Sequence, residues 1–182
     1  FGDRQFVITD ELSQFNFAEN YTCWAVNYGS YTTSQEVEFF ERKIDNITPE
    51  MVIGLPLTVK VSDNCFVAVT EADLEDYAGM YLKSDFKLST HSLRTALSPR
   101  KGQPEKGDKV YFKTPHKTPW RVLMIGETPG KLVESEIIQN LNDPCEIEDP
   151  SWIKPGVSAW DHWWSGEVKM EQSVILEYID LA

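Results

Sequence analysis

Long apolar runs and cysteine pairs are both scarce in this sequence of 182 residues, and each absence excludes a class of protein. No apolar run approaches the ~20 residues that a transmembrane helix needs, so membrane insertion is not expected. Cysteine occurs only at Cys23, Cys65 and Cys145 without a CxxC spacing, so a zinc site has no support. One disulfide with a free thiol and three reduced, buried thiols both fit this pattern, which therefore indicates no redox compartment.

Positive charge is also in short supply. The sequence has 17 Lys and Arg residues against 29 Asp and Glu residues, which gives a formal net charge of -12. This charge repels polyanions, so nucleic acid and anionic membrane surfaces are not expected partners. Carboxylate oxygens are suitable ligands for a cation such as calcium, although acidic surfaces also serve to keep proteins in solution.

The sequence is rich in apolar and aromatic residues, with 41% hydrophobic residues, 12% aromatic residues and six Trp. This composition is sufficient for a packed core and argues against disorder. Trp-rich surfaces often bind sugars, but aromatic side chains also fit the half-buried faces of β-sheets. Composition therefore leaves both a β-protein core and a sugar-binding surface open.

Most of the chain has the pattern of short strands and turns. Residues 57–61 and 65–70 alternate between apolar and polar side chains on either side of the turn at residues 62–64, which predicts a β-hairpin. Residues 98–108 are rich in Pro, Gly and Lys and are typical of a surface loop. Further strands are predicted at residues 5–9, 15–17, 21–26, 77–82, 86–88, 110–112 and 121–125. The fold class is therefore mainly β: an antiparallel β-sandwich, with residues 21–125 mainly strand.

The pattern changes after Gly130. Residues 132–141 mix apolar and acidic side chains, as in an irregular connector or a short helix, and residues 142–150 are polar with Pro144 and Pro150. We place the domain boundary here, with a sandwich over residues 1–141 and a second region over residues 142–182. Residues 171–182 have one broad apolar face at helical spacing, and no stop signal follows them. Because the sequence also begins with Phe1 rather than Met, we expect both ends to be cut.

The segment with the most unusual chemistry is residues 151–164, SWIKPGVSAWDHWW. If it is a barrel strand, Asp161 and His162 lie near its carboxyl end, where barrel strands face the active site, among Trp160 and Trp164. A carboxylate beside aromatic rings is a common arrangement for binding a sugar. A buried aromatic cluster in which Asp161 caps the next helix fits these residues equally well.

Several of these segments, in their order along the chain, resemble glycoside hydrolase family 97. SWIKPGVSAWDHWW is similar to the barrel-entry motif of that family, and TPWRVLMIG at residues 118–126 and LVESEIIQNLNDP at residues 132–144 are similar to segments that precede it. VTEADLEDYAGMYL at residues 69–82 and the closing YIDLA also resemble the family. Family members often have Trp where His162 stands and Asn where Ser165 stands.

The resemblance implies an N-terminal β-super-sandwich followed by a (β/α)8 catalytic barrel and a small C-terminal β-domain. The expected enzyme is a periplasmic or secreted bacterial exo-glycosidase that acts on α-glucosides or α-galactosides. Its partners are an α-linked oligosaccharide substrate and the remainder of the barrel. Trp160, Asp161, His162 and Trp164 are the expected sugar-binding residues. The catalytic carboxylates are expected later in the barrel, so we predict none in this chain and no activity of the chain alone.

The resemblance also implies a calcium ion at the active site, with one glutamate ligand from the sandwich. Glu36 is the first match for that ligand and Glu38 the second, while solvent-facing strand carboxylates are the alternative interpretation. Glu71 and Asp76 are further acidic candidates, for which structural hydrogen bonds to the backbone at a strand bend are the expected role.

Two functions from other classes compete with the glycosidase. One is a non-catalytic carbohydrate-binding β-sandwich that uses exposed Trp side chains, and the other is an accessory domain that supports another chain. A strand and helix that do not belong to the sandwich would favour the glycosidase, because a self-contained binding module has no need of them.

Overall fold

The computed structural model describes residues 4–85, 87, 89–158 and 171–181 of the chain. The chain divides into two compact units, Phe1–Asp143 and Pro144–Ala182, each of which is described by itself. Among the described residues, none of the helices combines the length and the apolar character that crossing a bilayer requires.

The first unit is built mainly from strands, all of which pair antiparallel. The strands are β1 (Gln5–Ile8), β2 (Gln14–Asn16), β3 (Thr22–Ala25), β4 (Phe40–Lys43), β5 (Leu57–Ser62), β6 (Cys65–Ala72), β7 (Met80–Ser84), β8 (Ser92–Leu97), β9 (Val110–Lys113) and β10 (Trp120–Gly126). A single 3₁₀ turn, Ile44–Asn46, and two short helices, α1 (Pro129–Val133) and α2 (Ile137–Leu141), complete the described elements of this unit. The prediction of a mainly antiparallel β fold over residues 21–125 is confirmed.

Two sheets form the sandwich. The larger has the strand order β10-β6-β5-β3-β4 and the smaller the order β2-β8-β7, while β1 and β9 form a separate pair. The main core lies between the two sheets, because its buried side chains come from both of them. Its members are Phe15, Cys23, Ala25, Ile44, Ile47, Ile53, Leu57, Val59, Val69, Met80, Leu82 and Leu93.

The other face of the larger sheet is covered by the two short helices. Phe66, Ala68 and Ala72 of β6 pack with Val122 and Met124 of β10 against Leu132 of α1. Residues 132–141, expected as an irregular connector or a short helix, are therefore helical in part. Their role is to bury the second face of the sheet, which β6 and β10 would otherwise expose.

The predicted hairpin is present as β5 and β6, with an irregular register between Lys60 and Ser62. Strand β7 begins at Met80, three residues later than predicted. The predicted strand at residues 86–88 falls on a segment in which only Lys87 is described, and this residue lies in a turn. Strand β8 was not predicted from the sequence. Residues 98–108, predicted as a surface loop, contain no helix or strand.

All three cysteines are free, which decides between the two interpretations of their pattern. Cys23 is buried, Cys65 is half-buried and Cys145 is exposed, so the alternative of three reduced, buried thiols is right about the free thiols but wrong about the burial of Cys65 and Cys145. Burial raises the pKa of the Cys23 thiol to about 11, which keeps it protonated and unreactive.

The second unit contains a 3₁₀ turn, Pro150–Trp152, and the helix α3 (Gln172–Leu181). The helix confirms the prediction for residues 171–182, and its apolar side chains Leu176, Ile179 and Leu181 are exposed. Residues 153–158 pair with no other described segment, and residues 159–170 lie outside the described residues. The first strand of a barrel therefore stays a prediction.

Candidate functional site

The candidate metal ligands Glu36 and Glu38 lie on the exposed loop of residues 32–39, which leads into β4. Both side chains precede the first strand residue, Phe40, so neither belongs to a strand. Every residue of the loop is exposed to solvent. The sandwich thus presents two carboxylates on a loop rather than within a sheet surface.

Gln35 fixes the loop next to Glu36. Its backbone has a φ of 61°, in the left-handed region that non-glycine residues rarely adopt. Its side-chain Nε2 donates a hydrogen bond to the hydroxyl oxygen of Tyr81, at 2.9 Å, and its backbone N–H lies 3.4 Å from Thr33 Oγ1. The residue before the candidate ligand is therefore attached to strand β7.

The ring of Tyr81 is itself held between two other tyrosines. Tyr28 and Tyr31 pack edge-to-face against it, with ring centroids 6.1 Å and 5.0 Å away. Gly54 makes room for this arrangement, because a Cβ at that position would lie 2.3 Å from a ring carbon of Tyr28. The three rings form a platform beneath the loop, which we call the tyrosine platform: Tyr28, Tyr31 and Tyr81.

A charged pair supports the platform from below. Lys83 Nζ lies 5.5 Å from the centroid of the Tyr31 ring and donates to the carboxylate of Glu105. The hydroxyl of Tyr31 also donates to Glu105, at 3.3 Å. Burial, followed by the charge of Glu105, raises the pKa of the Tyr31 phenol, so it remains a neutral donor. The hydrogen bond from Lys83 lowers the pKa of Glu105, which keeps this carboxylate ionised.

The chemistry of the loop fits calcium in part. Carboxylate oxygens are the ligands that calcium prefers, and about six to eight oxygens surround each ion. The described residues contain no group of three or more His, Cys, Asp or Glu side chains that could hold a metal ion. Within the described residues Glu36 and Glu38 therefore form no metal site by themselves, and their role as calcium ligands stays a prediction.

A second charged cluster joins three parts of the sandwich, and we call it the arginine clamp: Glu11, Glu71 and Arg121. Arg121 on β10 contacts both oxygens of Glu11, with Nε at 2.8 Å and Nη2 at 2.6 Å. Its Nη1 lies 2.6 Å from Glu71 on β6. Glu71 also accepts the backbone N–H of Met80, with both oxygens at 3.1 Å.

The contact with Met80 confirms the structural role expected of Glu71. Asp76 differs from that expectation, since it is an exposed residue with a φ of 47° in the turn before β7. The two carboxyls of the clamp titrate differently. Burial raises the pKa of Glu71. Burial acts in the same direction on Glu11, but hydrogen bonds from Arg121 and its other neighbours outweigh it and lower the pKa of that group.

The predicted sugar-binding residues Trp160, Asp161, His162 and Trp164 all lie outside the described residues. Their role stays a prediction. Sequence reasoning missed Gln35, Tyr81 and the platform, because a left-handed glutamine and a hydrogen bond across 46 residues leave no local pattern. Tyr28 and Tyr31 lie close together in the sequence, but Tyr81 is 50 residues further along, so no sequence pattern joins the three.

A family model and named relatives match this chain, and the family model covers the sandwich. A sequence model described as Glycosyl-hydrolase 97 N-terminal matches residues 1–144. The Retaining alpha-galactosidase of Bacteroides thetaiotaomicron is 30% identical over 187 residues, which cover 90% of this chain and 28% of that protein. The Probable retaining alpha-galactosidase of Streptomyces bingchenggensis is 34% identical over 67 residues, which cover 36% of this chain and 10% of that protein.

Solved structures match the fold as well. A Glycoside Hydrolase Family 97 enzyme from Pseudoalteromonas sp. strain K8, in complex with acarbose, has a TM-score of 0.70 and 29% identity. The match covers 85% of this chain and 22% of that one, and a variant of the same enzyme has a TM-score of 0.72 and 30% identity. The chain thus spans 28% or less of the length of these relatives. Since the family model covers 144 of the 182 residues, the resemblance seen in the sequence is confirmed and the chain belongs to glycoside hydrolase family 97, in its N-terminal domain.

Proposed function

We propose that this chain is part of an exo-acting glycosidase that hydrolyses α-linked oligosaccharides, and that it contributes a β-sandwich to that enzyme. The observation that carries the proposal is the match of residues 1–144 to the N-terminal domain of glycoside hydrolase family 97. The helix α3, which lies in a unit separate from the sandwich, favours this function over a self-contained carbohydrate-binding module.

The substrate is an α-galactoside or an α-glucoside. Both named relatives are retaining alpha-galactosidases or probable ones, so α-galactosides are the first substrates to test. The parent enzyme is proposed to act in the periplasm or outside the cell. Fractionation of the source bacterium, with an antibody against the sandwich, tests this location, and enrichment in the cytoplasm would contradict it.

The chain by itself is proposed to be inactive. Hydrolysis needs two carboxyl groups about 5–5.5 Å apart for retention, or about 6.5–9.5 Å apart for inversion. One of them must be held protonated in a partly desolvated site, and in a barrel such groups come from the ends of several strands. Asp161 is the one carboxylate of the predicted barrel strand near its end, and a single carboxyl group cannot serve as both acid and nucleophile.

The test uses nitrophenyl α-galactoside and nitrophenyl α-glucoside with calcium present. The purified chain is expected to release no nitrophenol, and the full-length parent is expected to cleave at least one of the two substrates. Turnover by the chain that disappears in the Asp161→Asn variant would refute the proposal, because it would place a complete active site within these 182 residues.

Glu36 is proposed as the calcium ligand that the sandwich supplies, with Glu38 as the second choice. Its exposed position on a loop and its carboxylate chemistry support this role. The ion would stabilise negative charge close to the reacting sugar. Replacing Glu36 with Gln removes the charge at nearly constant size and is expected to raise the calcium concentration that activates the parent. If that concentration is unchanged, Glu38→Gln is the next variant to test.

Trp160, Asp161, His162 and Trp164 are proposed to line the sugar-binding mouth. Replacing Trp160 with Ala in the parent is expected to raise KM or lower kcat strongly, since a ring that packs on a sugar is lost. Trp120→Ala is the matched control, because Trp120 is an exposed side chain on β10 of the sandwich. Unchanged kinetics for Trp160→Ala would show that this aromatic cluster serves only for packing.

A further inference from the structure

We infer that Gln35 and Tyr81 are positioning residues that hold the Glu36 carboxylate ready for calcium. The inference rests on the proposed function, because it takes Glu36 as the ligand. It adds to that proposal a mechanism within the sandwich: a hydrogen bond between the residue next to the ligand and a fixed hydroxyl on strand β7.

The part of the loop that carries Glu36 has few contacts with the rest of the fold. Residues 33–39 are all exposed. The backbone N–H groups of Gln35 and Glu36 donate to the hydroxyl oxygens of Thr33 and Ser34, each only two residues earlier in the chain, over a long donor–acceptor distance of 3.4 Å. Among the described hydrogen bonds of these residues, the one from Gln35 to Tyr81 alone reaches another part of the fold. Without it, Glu36 would be carried by a loop with few restraints.

The backbone of Gln35 has an unfavourable conformation. A φ of 61° is a conformation that a non-glycine residue adopts at a cost in free energy, so the surrounding structure must favour it. The hydrogen bond at 2.9 Å to Tyr81 supplies such a preference. The same hydrogen bond restrains the backbone immediately before Glu36.

The hydrogen-bond acceptor, the hydroxyl of Tyr81, is held rigidly. Tyr81 is on β7, which pairs along its whole length with the central strand β8 of the smaller sheet. Tyr28 and Tyr31 contact its ring at 6.1 Å and 5.0 Å between centroids, which restricts rotation of the side chain. The hydroxyl is therefore a fixed point on the scaffold, and Gln35 transmits its position to the loop.

A ligand that is already ordered loses less conformational entropy when the metal binds. Metal sites are accordingly most effective when supporting hydrogen bonds lock their ligands in place. Loss of one neutral hydrogen bond is expected to weaken binding about three- to tenfold. The effect should appear in calcium affinity rather than in the stability of the sandwich, because Gln35 itself is exposed.

The experiment uses the full-length parent with Tyr81→Phe, Gln35→Asn and the double variant. Phe keeps the ring and removes the hydroxyl. Asn tolerates a positive φ, but its side chain is one carbon shorter and cannot reach Tyr81. The protein is stripped with a chelator, and the Kd for calcium is measured by titration calorimetry, together with Tm in the chelated state. Tyr28→Phe is the matched control, because it removes a neighbouring hydroxyl that takes part in no described hydrogen bond.

Each single variant is expected to raise the Kd about three- to tenfold with an unchanged chelated Tm. The double variant should be no weaker than the single ones, because both remove the same bond. Additive losses, or an equal loss in Tyr28→Phe, would overturn the inference. So would an unchanged Kd in Tyr81→Phe and Gln35→Asn when Glu36→Gln raises it. If Glu36→Gln itself leaves the Kd unchanged, the proposed ligand fails instead. Should Tyr81→Phe not fold, Gln35→Asn on the exposed loop decides alone.

Discussion

The core of the sandwich and the loop of residues 32–39 differ in burial and in the contacts that hold them. The core is made of side chains from two sheets with almost no exposure, such as Leu57, Val59 and Leu82 at 0%. The loop is exposed throughout, and its side chains are polar or charged except for Val37 and Phe39. A single side-chain hydrogen bond, from Gln35 to Tyr81, links the described part of the loop around Glu36 to the scaffold.

Stability and the proposed metal binding therefore depend on different parts of the sandwich, the core and the loop of residues 32–39. Burial of apolar surface is the dominant favourable term in folding, so the free energy of unfolding depends on the core and on the clamp that joins its strands. The loop contributes little buried surface. Substitutions in the core should therefore change stability, and substitutions in the loop should change metal binding.

A cavity in the core is expected to cause the largest loss of stability. Leu82 is fully buried, and its backbone exchanges hydrogen bonds with Ile53, at 2.9 Å and 3.0 Å. Replacing it with Ala is expected to lower the free energy of unfolding by about 2–5 kcal/mol. Urea denaturation of the chain measures the change. Leu12→Ala, at a position with 77% exposure, is the control and should unfold like the original chain.

The arginine clamp gives the next largest effect. Replacing Arg121 with Met leaves the Glu11 and Glu71 carboxylates close together without their cation. Since these side chains are 14–16% exposed, the loss is expected to be about 2 kcal/mol, below the value for a fully buried pair. Lys131→Met removes the exposed pair with Glu134 and should leave the urea midpoint nearly unchanged. Equal midpoints for both variants would show that the clamp does not stabilise the sandwich.

The stability contributed by Glu11 and by Glu71 should change with pH in opposite directions, and by less than the loss expected for Arg121→Met. The pKa of Glu11 is lowered from 4.5, so its stabilisation is present above that pH and is lost as the pH falls through the folded pKa. The pKa of Glu71 is raised from 4.5, so its contribution falls as the pH rises through the folded pKa. Glu11→Gln should therefore lower the free energy of unfolding more at pH 7 than at pH 4. Glu71→Gln should lower it less at pH 7 than at pH 4.

Urea denaturation at both pH values checks this difference between the two variants. If the loss of unfolding free energy changed with pH in the same direction for Glu11→Gln and Glu71→Gln, the description of the clamp would be wrong. The pKa of Glu11 is lowered by its hydrogen bonds and the pKa of Glu71 is raised by burial, so the two losses should change in opposite directions.

Much of the fold could be predicted from the sequence, because edge and half-buried strands alternate between apolar and polar residues. The hairpin of β5 and β6 is the clearest case. Strand β8 was not predicted from the sequence because it is the central strand of the smaller sheet and is buried on both faces. Leu93, Thr95 and Ala96 are all buried. A strand of this kind has no alternation, and the Leu, Arg and Ala of its sequence are good helix formers.

The candidate site was predictable only where a residue's chemistry is local. Glu36 and Glu38 could be chosen from the family resemblance, and Glu71 could be assigned a structural role. The partners that decide how these residues are held, such as Tyr81 for Gln35 and Arg121 for Glu71, are 46 and 50 positions away in the chain. Contacts at such separations depend on strand order and register, which the sequence pattern of either partner does not contain.

Calorimetric titration of the chelated parent with calcium, for Glu36→Gln, Glu38→Gln and the unaltered protein, tests the account most directly. Glu36→Gln is expected to raise the Kd by about tenfold or more, because a charged ligand is lost, and to keep the Tm of the unaltered protein in chelator. Glu38→Gln should bind calcium almost normally. An unchanged Kd for Glu36→Gln, or a chelated Tm that falls in step with it, would contradict the separation of metal binding from the stability of the sandwich.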